Sequence, residues 1–300
     1  MPLAPLQELL AEAERSGYAV GYFECWNLES LQGVIDAAEM VSAPVIVGFS
    51  GVNLPDPRRQ AGERLELYAA LGRAACETAR VPAALLFNES PHLDWIGRAI
   101  ELGFNAVMFA DERMGLDDLP EQVRRTVALA AGRAAVEAEM AALPGVASGL
   151  DEIPSAMELT DPEAAARFVA DTGVDALAVS VGNLHLHGRR QVELDIDRLQ
   201  AIRRRVQVPL VLHGATSVAD SSIRRAIEAG IRKINVSSAL RSAFFRAVKE
   251  HIATSEEKFN PYEVLGSGLP ADVLLAGRIA VRHLVCAKMQ LFGSAGRFHS

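Results

Sequence analysis

The sequence predicts an α/β fold: a closed parallel (β/α)8 barrel of the TIM type with an extra C-terminal helix, formed as a single domain over residues 1–300. Three observations predict it. Eight short, β-branched apolar runs divide the chain, and each is followed by a helix-like stretch. The runs are continuously apolar rather than alternating, as parallel strands covered by helices must be. Finally, Glu101-Leu-Gly103-Phe-Asn-Ala-Val, Asp171-Thr-Gly173-Val-Asp-Ala-Leu and Glu228-Ala-Gly230-Ile-Arg-Lys-Ile share one grammar. Each reads as a helix end, a glycine able to take the left-handed cap, a short link and a strand.

The strands are expected at Val20–Glu24, Pro44–Ser50, Ala83–Glu89, Ala106–Asp111, Ala134–Met140, Ala176–Gly182, Pro209–His213 and Lys233–Ser237. Between them the helices are amphipathic. Leu31, Val34, Ile35 and Ala38 fall on one face after strand one, and Leu240, Phe244 and Val248 on one face after strand eight. Thr160-Asp161-Pro162-Glu163 reads as a helix start, with a capping side chain and a proline in the first turn. Residues 141–157 hold Pro144, Gly145, Gly149 and Pro154 and form the longest irregular stretch, either an active-site lid or a surface excursion. The tail from Asn260 leads into the final helix. Its apolar run from Val273 to Leu284 contains Arg278, Arg282 and His283.

Composition narrows the function. Half of the 300 residues are hydrophobic, enough for one large core. A net charge of −8 with no long basic run argues against nucleic-acid or anionic-membrane partners. Three cysteines without CxxC spacing fit a reduced cytoplasm. The start of the chain has no secretory pattern, and no apolar stretch is long enough for a bilayer.

In barrels of this kind chemistry sits at the C-terminal strand ends. His185 follows strand six and His213 ends strand seven, so two imidazoles can share a metal ion there; His187 is an alternate. Strand three ends in Asn88-Glu89, whose carboxylate is a metal ligand, a general base or a rim ion pair. On strand five, Glu137 and Glu139 share one parity and must point the same way. Glu139 is a candidate beside a metal, whereas Glu137 reads better as half of a buried ion pair. The loops after strands seven and eight often bind phosphate in barrels. Gly214, Thr216, Ser217, Asn235, Ser237 and Ser238 lie there; the hydroxyls among them are alternatively simple helix caps. Asn27 and Ser50 are further substrate-binding candidates after strands one and two.

Taken in order, Gly17-Tyr-Ala-Val-Gly-Tyr-Phe-Glu-Cys-Trp-Asn27-Leu-Glu, Val136-Glu-Ala-Glu-Met, Leu159-Thr-Asp-Pro-Glu, Leu212-His-Gly-Ala, Lys233-Ile-Asn-Val and Leu291-Phe-Gly-Ser-Ala-Gly resemble the class II ketose-bisphosphate aldolases, particularly the tagatose-bisphosphate type. The resemblance runs almost end to end. It implies a TIM barrel, a homo-oligomer (dimer or tetramer), a phosphorylated sugar substrate and a divalent metal, usually zinc, held by histidines to stabilise an enediolate. It assigns His185 and His213 as metal ligands, Glu139 as an acidic neighbour, and Gly214, Ser217 and Asn235 to Ser238 as the phosphate and ketose cradle.

Four departures matter. Asn88 and Glu89 stand where the family has its catalytic Asp and third metal-binding His, so Glu89 is expected as third ligand and Asn88 as a non-titrating orienter. His92 could compensate if its loop folds back. Val146, Ala147 and Ser148 stand where the family carries a lid acid, leaving Asp151 and Glu152 as the nearest candidates. Leu186 replaces a glycine, and Asn260-Pro261-Tyr262 stands in place of Asp-Pro-Arg, whose Arg holds a distal phosphate. The expectation is a metal-dependent aldolase-type lyase of altered specificity, acting on a ketose phosphate or related sugar acid. An isomerase or decarboxylase on the same scaffold, or a degenerate sugar-phosphate-binding protein, are the alternatives.

Overall fold

A computed structural model describes residues 3–111, 113–115, 117–140, 158–184, 191–254 and 260–298. Eight parallel strands close into a barrel in sequence order: β1 (Val20–Glu24), β2 (Val45–Ser50), β3 (Ala83–Ser90), β4 (Ala106–Phe109), β5 (Ala135–Glu139), β6 (Ala176–Ala178), β7 (Leu210–Leu212) and β8 (Ile231–Val236). Closure is made by β1 pairing with β8, where Tyr22 faces Asn235 in register. All eight expected runs are strands, several trimmed at their ends.

Each strand is followed by its helix: α2 (Leu28–Met40), α3 (Leu65–Thr78), α4 (Leu93–Glu101), α5 (Leu119–Ala130), α6 (Pro162–Thr172), α7 (Ile196–Arg205), α8 (Asp220–Glu228) and α9 (Ser238–Thr254). Asp161 caps α6 by accepting from the Glu163 and Ala164 amides, with Pro162 in the first turn. Gly173 ends that helix at φ 72°, and Gly103 and Gly230 take positive φ at the equivalent places, so the repeated grammar is a repeated helix stop. Outward strand residues such as Val47, Leu85, Val107 and Ile234 pack under the helices in one continuous core.

Inward residues form a second, inner core of Val20, Ile46, Ala84, Leu86, Ala106, Ala135, Ala176 and Val211. Its N-terminal end is stoppered by α1 (Leu6–Ser16), an element outside the eight-fold pattern and not expected above. Leu6, Leu9, Leu10 and Ala13 lie on the buried face of α1, at the spacing one helical stripe requires. A short helix, α10 (Pro261–Val264), precedes the expected final helix α11 (Val273–Leu291). Arg278 of α11 forks onto Asp36 of α2 at 2.6 and 2.8 Å and donates to Gln32. The charge within that apolar run is therefore a docking clamp. Among the described residues no helix is long and apolar enough to cross a membrane.

The fold puts β5, β6 and β7 side by side, with Glu139 opposite Ala178 and Ala178 opposite Val211. The strands preceding His185 and His213 are thus neighbours. His185, His187, Asp151, Glu152 and the whole 141–157 stretch lie outside the described residues.

Candidate active site

Inward parity at the C-terminal strand ends delivers charged side chains where the lower layers deliver alanines. His213, one residue past β7, is buried, and its Nε2 lies 2.9 Å from Glu137 Oε1. A carboxylate only accepts, so Nε2 carries the proton in this contact. Nδ1 then faces Glu89 Oε1 at 3.3 Å and Glu139 Oε1 at 3.8 Å. The second oxygen of Glu137 sits 2.9 Å from Lys233 Nζ, and both of those side chains are fully buried. The buried ion pair expected for Glu137 is present, and its partner is a lysine from β8.

Electrostatics follow from this packing. Burial alone would raise the Glu137 carboxyl, but the Lys233 charge and the His213 hydrogen bond bring it down to about 2. Burial alone would neutralise His213, yet Glu139, Glu137 and Glu89 together raise it to about 10. Desolvation lowers Lys233 against the pull of Glu137. Three carboxylates, Glu89, Glu137 and Glu139, thus gather around one imidazole, with the Lys233 ammonium behind Glu137. The donor set (an imidazole whose proton is fixed on the far nitrogen, with two carboxylates beside the near one) therefore fits a divalent metal ion. Among the described residues, no three His, Cys, Asp or Glu side chains are already arranged to hold one. The structure brings His213 and Glu89 together; the expected partner His185 is outside the described residues.

Glu89 reaches this point through a local irregularity. The β3–β4 register shifts between Phe87 and Ser90, and Glu89 takes φ 56°, a left-handed conformation costly for a side chain of this size. Such strain is on the order of 1–3 kcal/mol and persists only where the surroundings enforce it. The shift lets consecutive residues, Asn88 and Glu89, both line the cleft. Asn88 is buried, and its Oδ1 has no hydrogen-bond partner among the described residues.

On the β1–β8 side, where Asn235, Ser237 and Ser238 were expected, Tyr22, Glu24, Lys233 and Arg241 were not anticipated. Tyr22 lies inside the barrel with its hydroxyl unpartnered among the described residues, and burial with nearby carboxylates raises its pKa. Gly48 makes room for it: a Cβ there would collide with the Leu86 carbonyl oxygen and come within 3.0 Å of Tyr22 Cε2. Glu24, one layer higher, accepts from Ser237 Oγ and Arg241 Nη2, each at 2.9 Å. Burial raises the Glu24 carboxyl despite the opposing Arg241 charge. The Arg241 guanidinium lies 4.7 Å over the Trp26 ring. Sequence signals existed for these residues: Lys233 shares its strand parity with the site residue Asn235, and Tyr22 and Glu24 share the inward parity of β1.

Of these groups Tyr22, Glu24, Trp26, Asn88, Glu89, His213 and Arg241 line a cleft of about 640 Å³, with Glu137, Glu139 and Lys233 behind them. Ser50, Asn88, Glu89, His213, Gly214, Thr216, Asn235, Ser237, Ser238 and Arg241 all border it. Gly214 takes φ 66° hard against Leu184, whose carbonyl oxygen would lie 2.9 Å from a Cβ. Thr216 and Ser238 are bridged by a 3.2 Å hydrogen bond across the loops that follow β7 and β8. Three expected residues are elsewhere. Asn27 does not border the cleft; its side chain caps α2 in a reciprocal box with Ser30. Ser217 is buried behind the rim, where its carbonyl accepts from Val192. His92 is exposed at the start of α4 and does not fold back. Tyr262 is 87 % exposed and also stands away from the cleft.

The family model for class-II fructose-bisphosphate aldolase matches residues 4–297. The chain belongs to the class-II fructose-bisphosphate aldolase family. Similar solved structures include the YdjI aldolase from Escherichia coli K12, at 29% identity and a TM-score of 0.79 over 99% of this chain and 100% of that one. A provisionally assigned fructose-1,6-biphosphate aldolase from Coccidioides immitis is 28% identical, with a TM-score of 0.78 over 97% of each chain. The fructose-bisphosphate aldolase of Campylobacter jejuni shares the fold at 20% identity, with a TM-score of 0.78 over 98% of this chain and 96% of that one. Class II aldolases are aldehyde-lyases, so the chain is an enzyme of the aldolase type.

Proposed function

We propose that this aldolase is divalent-metal dependent and makes or breaks a carbon–carbon bond in a ketose phosphate or related sugar acid, as a dimer or tetramer in the cytoplasm. The observation that carries this reading is His213: Glu137 fixes its outer nitrogen, and its inner nitrogen is turned toward the carboxylates of Glu89 and Glu139. His213 and Glu89 would hold the metal with His185 as third ligand, and zinc is the first candidate. When bound, the metal supplies Lewis acidity toward the ketose carbonyl.

The remaining roles fall to the chain. Gly214, Thr216, Asn235, Ser237 and Ser238 take the phosphate next to the carbonyl carbon through amides and hydroxyls. Asn88 orients a substrate hydroxyl through its unpartnered oxygen but cannot exchange a proton at neutral pH. Glu89, or Asp151 or Glu152 from the 141–157 segment, moves the proton. Tyr262, away from the cleft, offers no charge to a second phosphate, which favours a substrate whose far end differs from a bisphosphate's. The uncharged Asn88 also favours a second reading, proton exchange next to the carbonyl without bond cleavage.

The test is elemental analysis of purified protein together with a retro-aldol assay on a panel of ketose 1-phosphates. The expected result is about one divalent ion per chain and an aldehyde product. No metal retained after loading sinks the metal reading. Proton exchange with no aldehyde formed selects the second reading.

A further inference from the structure

Lys233 is fully buried and, unlike Tyr22, Asn88 and His213, does not border the cleft. Its ammonium is nonetheless engaged on three sides. Nζ lies 2.9 Å from Glu137 Oε2, donates to Asn235 Oδ1 at 2.5 Å, and stands 4.8 Å over the Tyr22 ring. We propose that Lys233 is a positioning residue that sets two working groups at once: the imidazole of His213, through Glu137, and the side-chain amide of Asn235, directly.

The first arm is a relay. Glu137 has one oxygen on Lys233 and the other on His213 Nε2, so the ammonium fixes the carboxylate and the carboxylate fixes the ring. Partners of this kind hold a ligand's orientation and proton position. The second arm resolves an ambiguity every asparagine carries. An ammonium can only donate, so the Asn235 atom facing it must be the oxygen. The Asn235 Nδ2 is thereby turned the other way. That nitrogen is buried and has no partner among the described residues, and the residue borders the cleft and is only 9 % exposed. A buried donor left open beside a cavity is satisfied by what enters the cavity. Lys233 thus ties the metal-side histidine to an oxygen-binding amide on the phosphate side, although it touches neither ligand.

This inference rests on the proposed metal and phosphate sites, and its test separates the two ideas. Zinc affinity is measured by chelator competition, and inorganic phosphate binding by calorimetry, on the parent protein, Lys233→Met, and the double variant Lys233→Met with Glu137→Gln. The single variant is expected to lose about 10–100-fold in zinc affinity and roughly fivefold in phosphate affinity. In the double variant the amide oxygen introduced by Glu137→Gln still accepts from His213, so zinc affinity returns to within about threefold of the parent while phosphate binding stays weak. A folded Lys233→Met that binds both probes like the parent overturns the inference. Should the single variant not fold, the double variant carries the test: both affinities retained, or both lost, overturn it. A parent protein that takes up neither zinc nor phosphate sinks the proposed function instead, and this inference with it.

Discussion

The two ends of this barrel are built from the same strands and could hardly differ more. At the N-terminal end the inward positions are Val20, Ile46, Ala84, Ala106, Ala135 and Ala176, closed off by the leucines of α1. Two residues further along the same strands they become Tyr22, Gly48, Leu86, Met108, Glu137 and Ala178, and beyond those Glu24, Ser50, Asn88 and Glu139. Among the described residues, the uncharged buried side-chain atoms without a hydrogen-bond partner are Tyr22 Oη, Asn88 Oδ1, Asn235 Nδ2 and, where neutral, His213 Nδ1. All belong to the upper end. One end is finished as a protein core; the other is finished only by a ligand.

The largest expected break in that contrast comes at the mouth. His213→Ala should release the metal and lower kcat/KM by about a thousandfold, on the scale seen when a preorganised electrostatic group is removed. Elemental analysis and the retro-aldol assay check it. The converse break is at the floor. Leu10→Ala should cost about 2–5 kcal/mol of stability by denaturant unfolding, the range for a buried leucine, while zinc affinity and KM stay as in the parent. If Leu10→Ala instead weakened zinc binding, the two ends would not be separable.

A third prediction uses pH to tell the ends apart in the metal-free protein. His213 is raised from 6.5 to about 10, so its contribution is full below pH 6.5 and is lost as pH climbs toward 10. Glu137 is lowered from 4.5 to about 2, so its contribution is full above pH 4.5 and is lost as pH falls toward 2. Stability should therefore peak between pH 4.5 and 6.5 and fall on both sides. Thermal unfolding across about pH 3 to 10 reads the curve. Leu10→Ala should lower it evenly, whereas Glu137→Gln should flatten both shoulders. A parent curve flat from about pH 6 to 10 would show that the cluster does not hold its proton.

How much of each end could be read in advance follows the same divide. The strands were legible because a parallel barrel demands continuous apolar runs, and the turns because glycine marks the helix stops. His213 and Glu137 were each legible as inward residues on their strands. Their contact was not, since it depends on how β5 and β7 are staggered around the cylinder, which no local pattern encodes. Glu89 turns into the cleft through a register shift, and nothing in Phe87-Asn88-Glu89-Ser90 announces it. Asn27 departs from expectation for a different reason. Asn27-Leu-Glu-Ser30 already spells a capping box, and that local signal decides where the side chain goes, against the place the family resemblance gave it. Helix α1 was equally readable from its leucine stripe, but it precedes the eight-fold pattern that organises the chain.

The smallest effect is the most discriminating for the idea that the mouth is an unfinished core. Tyr22 offers a hydroxyl with no partner, while its ring is packed by Gly48 and the Lys233 ammonium. Tyr22→Phe removes only that oxygen. In an ordinary core the loss of a hydrogen-bonding hydroxyl costs about 0.5–1.5 kcal/mol. Here no bond is lost, so stability should be unchanged or rise slightly. The hydroxyl's value should appear only with substrate present, as a rise in KM or fall in kcat of roughly five- to tenfold. Denaturant midpoints and steady-state kinetics on the same preparation separate the two quantities. A Tyr22→Phe variant that is less stable and kinetically normal would mean that the oxygen serves the fold, and that the boundary between floor and mouth lies one layer higher, at Glu24 and Asn88.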